Sequence, residues 1–114
     1  LIDLQRLVRL MPVGESVVEA ILALVRSARP PEAGAPAGDP ARAVAWGPGP
    51  RAGQALMLTV RARALLAGRL APSLDDVIAL AEPILQHRMA LTFAARADGV
   101  GVRDVVARLV ARLG

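Results

Sequence analysis

The chain has 114 residues, of which 54% are hydrophobic and 21% charged, a balance that excludes intrinsic disorder and predicts one domain, 1–114, with a buried core. Cysteine is absent, which excludes disulfides, thiolate metal sites and cysteine nucleophiles, and we expect a reducing compartment, the cytoplasm. All fourteen basic residues are arginine, so the lysine of a P-loop is missing and any nucleotide site must be shared with another domain.

Other classes of function are also disfavoured. His87 is the only histidine, too little for a closed transition-metal site, so we expect no structural metal. The net charge of +4 permits nucleic-acid binding, but the arginines are spread along the chain, so nucleic acid is not the expected partner. No apolar stretch reaches the ~20 residues that span a bilayer. The chain begins at Leu1 within a helical pattern, which suggests a piece of a longer polypeptide.

The first two predicted elements are helices. Apolar residues recur at helical spacing in residues 1–10 until Pro12 ends the pattern, which predicts the tail of a helix. Residues 15–28 carry a second stripe with a wetter opposite side, which predicts an amphipathic helix. The apolar positions of this second helix are Val18, Ile21, Leu22 and Val25.

A long loop follows. Residues 29–50 contain six prolines and four glycines, a density that predicts an irregular connection, with disorder nearest residues 33–39. Residues 43–46 could form a short extended piece at its end. Trp46 could stack on a ligand base, but we expect it to pin this loop onto the helical core.

Residues 51–66 predict a central, mostly buried helix. Pro50 suits its first position and Gly68 the position just past its end. We expect Leu56, Val60 and Leu66 to share one side. The arginines within it, Arg61 and Arg63, are expected to extend to the edge of the core or to pair with carboxylates of neighbouring helices.

Three further helical segments complete the chain. Ser73 and Asp76 have the spacing of a capping box, and Asp75 adds negative charge to the same first turn. Pro83 must break or kink this helix before residues 85–93 continue it. The last helix begins near Val102 and carries its apolar face on Val105, Val106, Leu109, Val110 and Leu113.

Arg51 is the candidate functional residue. It lies in the first turn of a helix, where a cation opposes the helix dipole at a cost of roughly 0.3–1 kcal/mol. Asp or Glu is favoured there, so the arginine needs another reason. An anion bound from outside the chain would supply one.

The order of these signals resembles the MoxR family of AAA+ ATPases, specifically their C-terminal lid. The segments that carry the resemblance are GPGPRA at residues 47–52, Gly68-Arg69, SLDDVIALAEPILQHR at 73–88 and FAARADGV at 93–100. Gly49 stands where the family commonly has Ser, and Leu74 where it commonly has Pro. Neither departure removes the arginine, although Gly49 forfeits a hydroxyl cap at the helix start.

The resemblance implies an all-α fold, a small bundle of four to five helices with a long Pro/Gly-rich loop at about residues 30–50. It implies that Arg51 is sensor 2, the arginine that reaches the phosphates of ATP held, with Mg²⁺, by the large domain of the same chain. The fragment alone would not hydrolyse ATP. A hexameric ring with neighbouring subunits, a chaperone-like role in assembling complexes, and partners with von Willebrand factor A domains are also implied.

Two alternatives stay open. One is the lid of a magnesium-chelatase-like AAA+ subunit, and the other is a free-standing helical module that binds nucleic acid or a partner helix through its arginines. The roles of Arg61, Arg69 and His87 are not fixed by the sequence. For His87 a structural role is expected rather than catalysis, because no nucleophile is tied to it by spacing.

Overall fold

A computed structural model describes residues 2–31 and 38–113. Six α-helices lie in these residues: α1 (Ile2–Leu10), α2 (Glu15–Ser27), α3 (Pro50–Leu66), α4 (Leu74–Leu85), α5 (Phe93–Ala97) and α6 (Val102–Ala111). A 3₁₀ turn (Pro40–Ala43) and two short strands, β1 (Val44–Trp46) and β2 (Ala90–Leu91), complete the described elements. The predicted helical bundle is confirmed, with a small ribbon and a short sixth helix in addition. The disorder expected at residues 33–39 falls mostly outside the described residues.

Helix α3 is the centre of the bundle and contacts α1, α2 and α4. Its buried positions are four residues apart, and they are small or branched, so neighbouring helices approach closely. These positions are Ala52, Leu56, Val60 and Ala64. Helix α6 packs on α4 and α2 and closes the core with Val105, Val106 and Leu109.

The expectation that Leu66 shares the buried side of α3 is wrong, since 88% of this residue is exposed. The buried stripe continues to Ala64, and a residue two positions further is rotated by about 200° around the axis. Leu66 therefore lies on the opposite side of the helix. The start of α3 at Pro50 is confirmed, and so is its end, because Gly68 takes the left-handed conformation with φ of 80°.

The continuous helix predicted for residues 85–93 is also wrong. Helix α4 runs through Pro83 and ends at Leu85, two residues later. The chain then turns and becomes extended at β2, which pairs antiparallel with β1. Thr92 caps a new helix by accepting a hydrogen bond from the backbone N–H of Ala95 at 3.1 Å. Strand pairing and a fresh cap outweigh the apolar pattern, which suits either structure.

The ribbon confirms the extended piece expected near residues 43–46. Val44 pairs with Leu91 and Trp46 with Ala90, so β1 has one extra residue, a β-bulge. The backbone N–H of Thr92 donates to the Ala43 carbonyl at 2.8 Å and extends the pairing. This ribbon ties the end of the long loop to the connection between α4 and α5.

Candidate functional site

The turn before α3 is held tightly against the end of α2. Pro48 is fully buried, and a Cβ atom added to Gly47 would lie 2.5 Å from the carbonyl oxygen of Ala28. Only glycine permits that approach without a shift of the backbone. Gly49 then occupies the N-cap position without a side-chain cap, and Pro50 starts the helix. The start of α3 is thus fixed in place although its cap is bare.

Arg51 lies in the first turn of α3 and is exposed, as its sequence position predicts. That turn has no acidic residue, and within residues 2–31 and 38–113 the Arg51 side chain forms no ion pair. Its charge and the positive end of the helix dipole therefore reinforce each other. This end of α3 is suited to an anion.

A groove of about 460 Å³ runs beside this helix start, between α2 and α3. Its walls are mainly apolar, and its charged members are Arg26 in the last turn of α2 and Arg29 just beyond that helix. The lining residues are Ile21, Leu22, Val25, Arg26, Arg29, Pro50, Gly53, Gln54 and Met57. An apolar groove with cations at one end fits a ligand that has a flat apolar part and an anionic part.

The other end of α3 has a different arrangement of arginines. Arg69 donates two hydrogen bonds of 2.7 Å to the two carboxylate oxygens of Asp76, and Arg63 donates to the same group. Asp76 is fully buried and also accepts from the backbone N–H of Ser73 at 2.7 Å, the reciprocal bond of the predicted capping box. Sequence reasoning found this cap and expected a carboxylate partner for Arg63, but it did not assign a role to Arg69.

The surroundings of Asp76 stabilise its ionised form. The hydrogen bond from Arg69 is the largest cause that holds the pKa of Asp76 far below its usual range, and burial opposes it without prevailing. Bonds from the Ser73 backbone and Arg63 act in the same direction. The hydrogen bond to Asp76 likewise raises the pKa of Arg69. The ion pair of Arg63 with Asp76 of α4 confirms the expected pairing with a carboxylate of a neighbouring helix.

The remaining candidates lie apart from Arg51. His87 is exposed in the turn after α4. Arg61 donates a long bond of 3.4 Å to the carbonyl of Arg9 in α1, while its Nε is buried with no partner among the described residues. The expectation that Trp46 pins the loop onto the core is wrong, because 57% of it is exposed, on the ribbon. More than half of this residue therefore remains in contact with solvent.

Within residues 2–31 and 38–113, no cluster of three or more His, Cys, Asp or Glu side chains could hold a metal ion. None of the helices described there is both long and apolar enough to cross a bilayer.

Comparison with known families gives the decisive match, because the AAA lid domain family matches residues 37–109, more than half of the chain. The chain is an AAA lid domain. Curated proteins offer no match. Membership in a lid family favours the lid interpretation over a free-standing helical module.

A solved structure shows the same fold as this lid. It is that of a putative ATPase from Cytophaga hutchinsonii, with a TM-score of 0.83 and 23% sequence identity. The match covers 96% of the lid and 33% of the other chain, so the lid spans about a third of the length of that protein. The fold therefore extends beyond the residues of the family match and includes helices α1 and α2.

Proposed function

We propose that this domain is the lid of a MoxR-type AAA+ ATPase, and that Arg51 is its sensor 2, which contacts the phosphates of ATP. The observation that carries the proposal is the exposed Arg51 without a carboxylate partner among the described residues, at a helix start that itself favours an anion. The nucleotide would be held mainly by a large domain of the same chain, which would also hold Mg²⁺. The domain by itself lacks a P-loop lysine and would not hydrolyse ATP.

The groove between α2 and α3 supports this assignment. Its apolar walls suit a nucleobase, and Arg26 and Arg29 bring further positive charge to the same end of the domain. A nucleotide combines a flat base with a charged chain of phosphates, which is the combination that this face can accommodate.

Arg51 would couple the lid to the state of the nucleotide. A guanidinium forms strong, charge-assisted hydrogen bonds to phosphate oxygens, and its attraction weakens when the terminal phosphate leaves. Because Gly47 and Pro48 fix the start of α3 against α2, a pull on Arg51 would move α3 with its neighbours. Arg51 would thereby convert the loss of one phosphate into rotation of the whole lid.

The wider role follows the resemblance to MoxR ATPases. We propose a cytoplasmic, hexameric ring in which the lid also contacts neighbouring subunits. Its activity would be chaperone-like, in the maturation or assembly of partner complexes that include proteins with von Willebrand factor A domains.

The test uses the intact ATPase that contains this lid. We expect it to hydrolyse ATP while the 114-residue chain does not, and Arg51→Ala to lower turnover by about 10- to 150-fold, the equivalent of one hydrogen bond to a charged group. Arg103→Ala is the control, because Arg103 is 82% exposed and makes one long ion pair of 3.4 Å. It should leave turnover unchanged.

Equal turnover and equal ATP affinity for Arg51→Ala and the wild type would contradict the sensor assignment. Absence of both ATP binding and hydrolysis in the intact protein would contradict the proposed function as a whole. Arg51→Lys separates charge from geometry, since lysine cannot reproduce the two-pronged contact of a guanidinium.

A further inference from the structure

Both aromatic residues of the chain are on the surface. Trp46 is 57% exposed at the end of β1, and Phe93 is 80% exposed at the start of α5. Tryptophan is on average a well-buried residue, and aromatic residues are enriched at protein interfaces relative to the rest of the surface. The core of this domain is built without either ring. Both rings are therefore available for contact with another molecule.

Trp46 borders a groove of about 500 Å³, which we call the ribbon groove. It lies where the β1–β2 ribbon meets the connection from α5 to α6. Its lining residues are Ala45, Trp46, Ala90, Leu91, Arg96, Val100, Gly101 and Val102. The volume is within the roughly 300–1,000 Å³ typical of ligand pockets, and the walls are apolar apart from one cation.

That cation is Arg96 of α5. Its side chain is exposed and forms no ion pair within the part of the chain that the structure describes. No carboxylate lines the groove, although Asp98 and Asp104 are exposed in the adjoining segment and Asp104 accepts a hydrogen bond from the backbone N–H of Gly101 at 3.1 Å. The ribbon groove therefore presents an apolar surface with one arginine that has no ion-pair partner among the described residues.

We propose that the ribbon groove binds a short acidic and apolar peptide segment of a partner protein. A bulky apolar side chain of the segment packs against Trp46, and an adjacent carboxylate pairs with Arg96. Tryptophan and arginine are, with tyrosine, enriched among the residues that contribute most of the binding energy at protein interfaces. The ribbon groove shares no lining residue with the α2–α3 groove, so this proposal is independent of the nucleotide assignment.

Charge favours a peptide over nucleic acid. Binding of a nucleic acid draws on several phosphate contacts, and a single arginine lines this groove. A peptide with one carboxylate beside an apolar side chain supplies one negative charge for the single arginine and an apolar group for the apolar walls.

Trp46 makes the test direct, because it is the only tryptophan in the chain. The probe is the acetylated, amidated peptide Gly-Asp-Leu-Phe-Glu-Gly, which has no tryptophan, and its counterpart has lysine in place of both acidic residues. We expect the acidic peptide to shift the Trp46 emission to shorter wavelength in a saturable titration. The lysine peptide should bind at least about fivefold more weakly.

Charge reversal then identifies the contact. Arg96→Ala should weaken the acidic peptide about fivefold, and Arg96→Glu should reverse the preference between the two peptides. Arg6→Ala, which removes an exposed arginine of α1, is the matched control and should leave binding unchanged. Circular dichroism of each variant confirms that the helices are intact.

Several outcomes would overturn the proposal. They are absence of saturable binding by the acidic peptide, equal binding of both peptides, and equal binding by wild type and Arg96→Ala. Sedimentation velocity tests the competing occupant, a second copy of the chain. A dimer that is lost in Trp46→Ser would assign the groove to self-association and would also overturn the proposal.

Discussion

The two ends of helix α3 use arginine in opposite ways. At its C-terminal end, Arg63 and the following Arg69 are bound to the buried carboxylate of Asp76. At its N-terminal end, Arg51 has no carboxylate partner among the described residues. A cation near the end of a helix is favoured by the dipole, whereas a cation at its start is not. The comparison separates arginines that support the fold from one that is available to a ligand.

The Asp76 carboxylate is buried, so its contacts with Arg63 and Arg69 affect the stability of the domain as well as its geometry. Asp76 has 0% exposure, while the side chains of Arg63 and Arg69 are 45% and 39% exposed. The carboxylate therefore depends on its donors, whereas the arginines keep contact with water. The connection from α3 to α4 is organised around one acidic group, and the start of α3 is organised around a glycine and proline turn.

The largest expected effect comes from removing the carboxylate charge. Asp76→Asn leaves two arginines and the Ser73 N–H facing a neutral group, and it weakens the cap of α4. We expect the free energy of unfolding to fall by about 2–3 kcal/mol, below the 3–5 kcal/mol of a fully buried pair because the arginines are partly solvated. Urea denaturation followed by circular dichroism measures this change.

Asp75→Asn is the matched control, since Asp75 is exposed in the same helical turn. Its loss should cost no more than about 1 kcal/mol, the value of one charge near a helix start. Similar losses for both variants would show that Asp76 acts only through the helix dipole.

The contribution of Asp76 to the free energy of unfolding should depend on pH. Because the pKa of Asp76 is lowered by folding, its contribution is complete above its unfolded value near pH 4 and is lost as the pH falls toward the folded pKa. The gap in unfolding free energy between wild type and Asp76→Asn should be constant from about pH 5 to 7 and should shrink below about pH 4. A constant gap down to about pH 2 would contradict the ion-pair account.

At the opposite end of α3, an added methyl group should disturb the turn that presents Arg51. Gly47→Ala places a Cβ atom 2.5 Å from the carbonyl oxygen of Ala28. Neither atom can move away without a shift of the backbone. We expect the free energy of unfolding to fall by about 1–2 kcal/mol, within the usual cost of overpacking. Urea denaturation of the wild type and the variant, followed by circular dichroism, measures this change in the free energy of unfolding.

Gly53→Ala serves as the control in the same region. Nothing lies within 4 Å of a Cβ atom at this helical position, so alanine should stabilise the domain by about 0.5–1 kcal/mol through its higher helix propensity. If Gly47→Ala were also neutral or stabilising, the close approach of the turn to α2 would not be what fixes the start of α3.

Local signals in the sequence predict the ends of the helices well. Pro50 at the start of α3, Gly68 beyond its end, and the pairing of Ser73 with Asp76 each act over three or four residues. Capping interactions between residues so close in the chain can be predicted from a single sequence. The candidate role of Arg51 rests on a signal of the same kind, because a cation in the first turn opposes the helix dipole.

Features that depend on distant parts of the chain could not be predicted in this way. Arg69 reaches Asp76 only because the chain reverses between α3 and α4, and the spacing of the two residues does not specify that reversal. Ala90 and Leu91 form a strand only because β1 lies beside them. The exposure of Trp46 depends on how the other elements pack around β1, and the residues next to Trp46 in the sequence do not indicate that packing.

The smallest expected change in stability belongs to Arg51 itself. Arg51→Ala removes a cation from the positive end of the helix dipole and introduces a good helix former, so the free energy of unfolding should rise by about 0.3–1 kcal/mol. The gain should diminish in 1 M salt, where the Debye length is about 3 Å. Arg51→Lys keeps the charge and should leave stability unchanged.

A loss of stability of more than about 1 kcal/mol in Arg51→Ala would place this arginine with Arg63 and Arg69 as a support of the fold. A gain in stability of the domain combined with a loss of ATP turnover in the intact protein is the result that separates the two ends of α3. It would support the proposal that the start of the helix keeps an unfavourable charge in the free domain because that charge contacts the phosphates of a bound nucleotide.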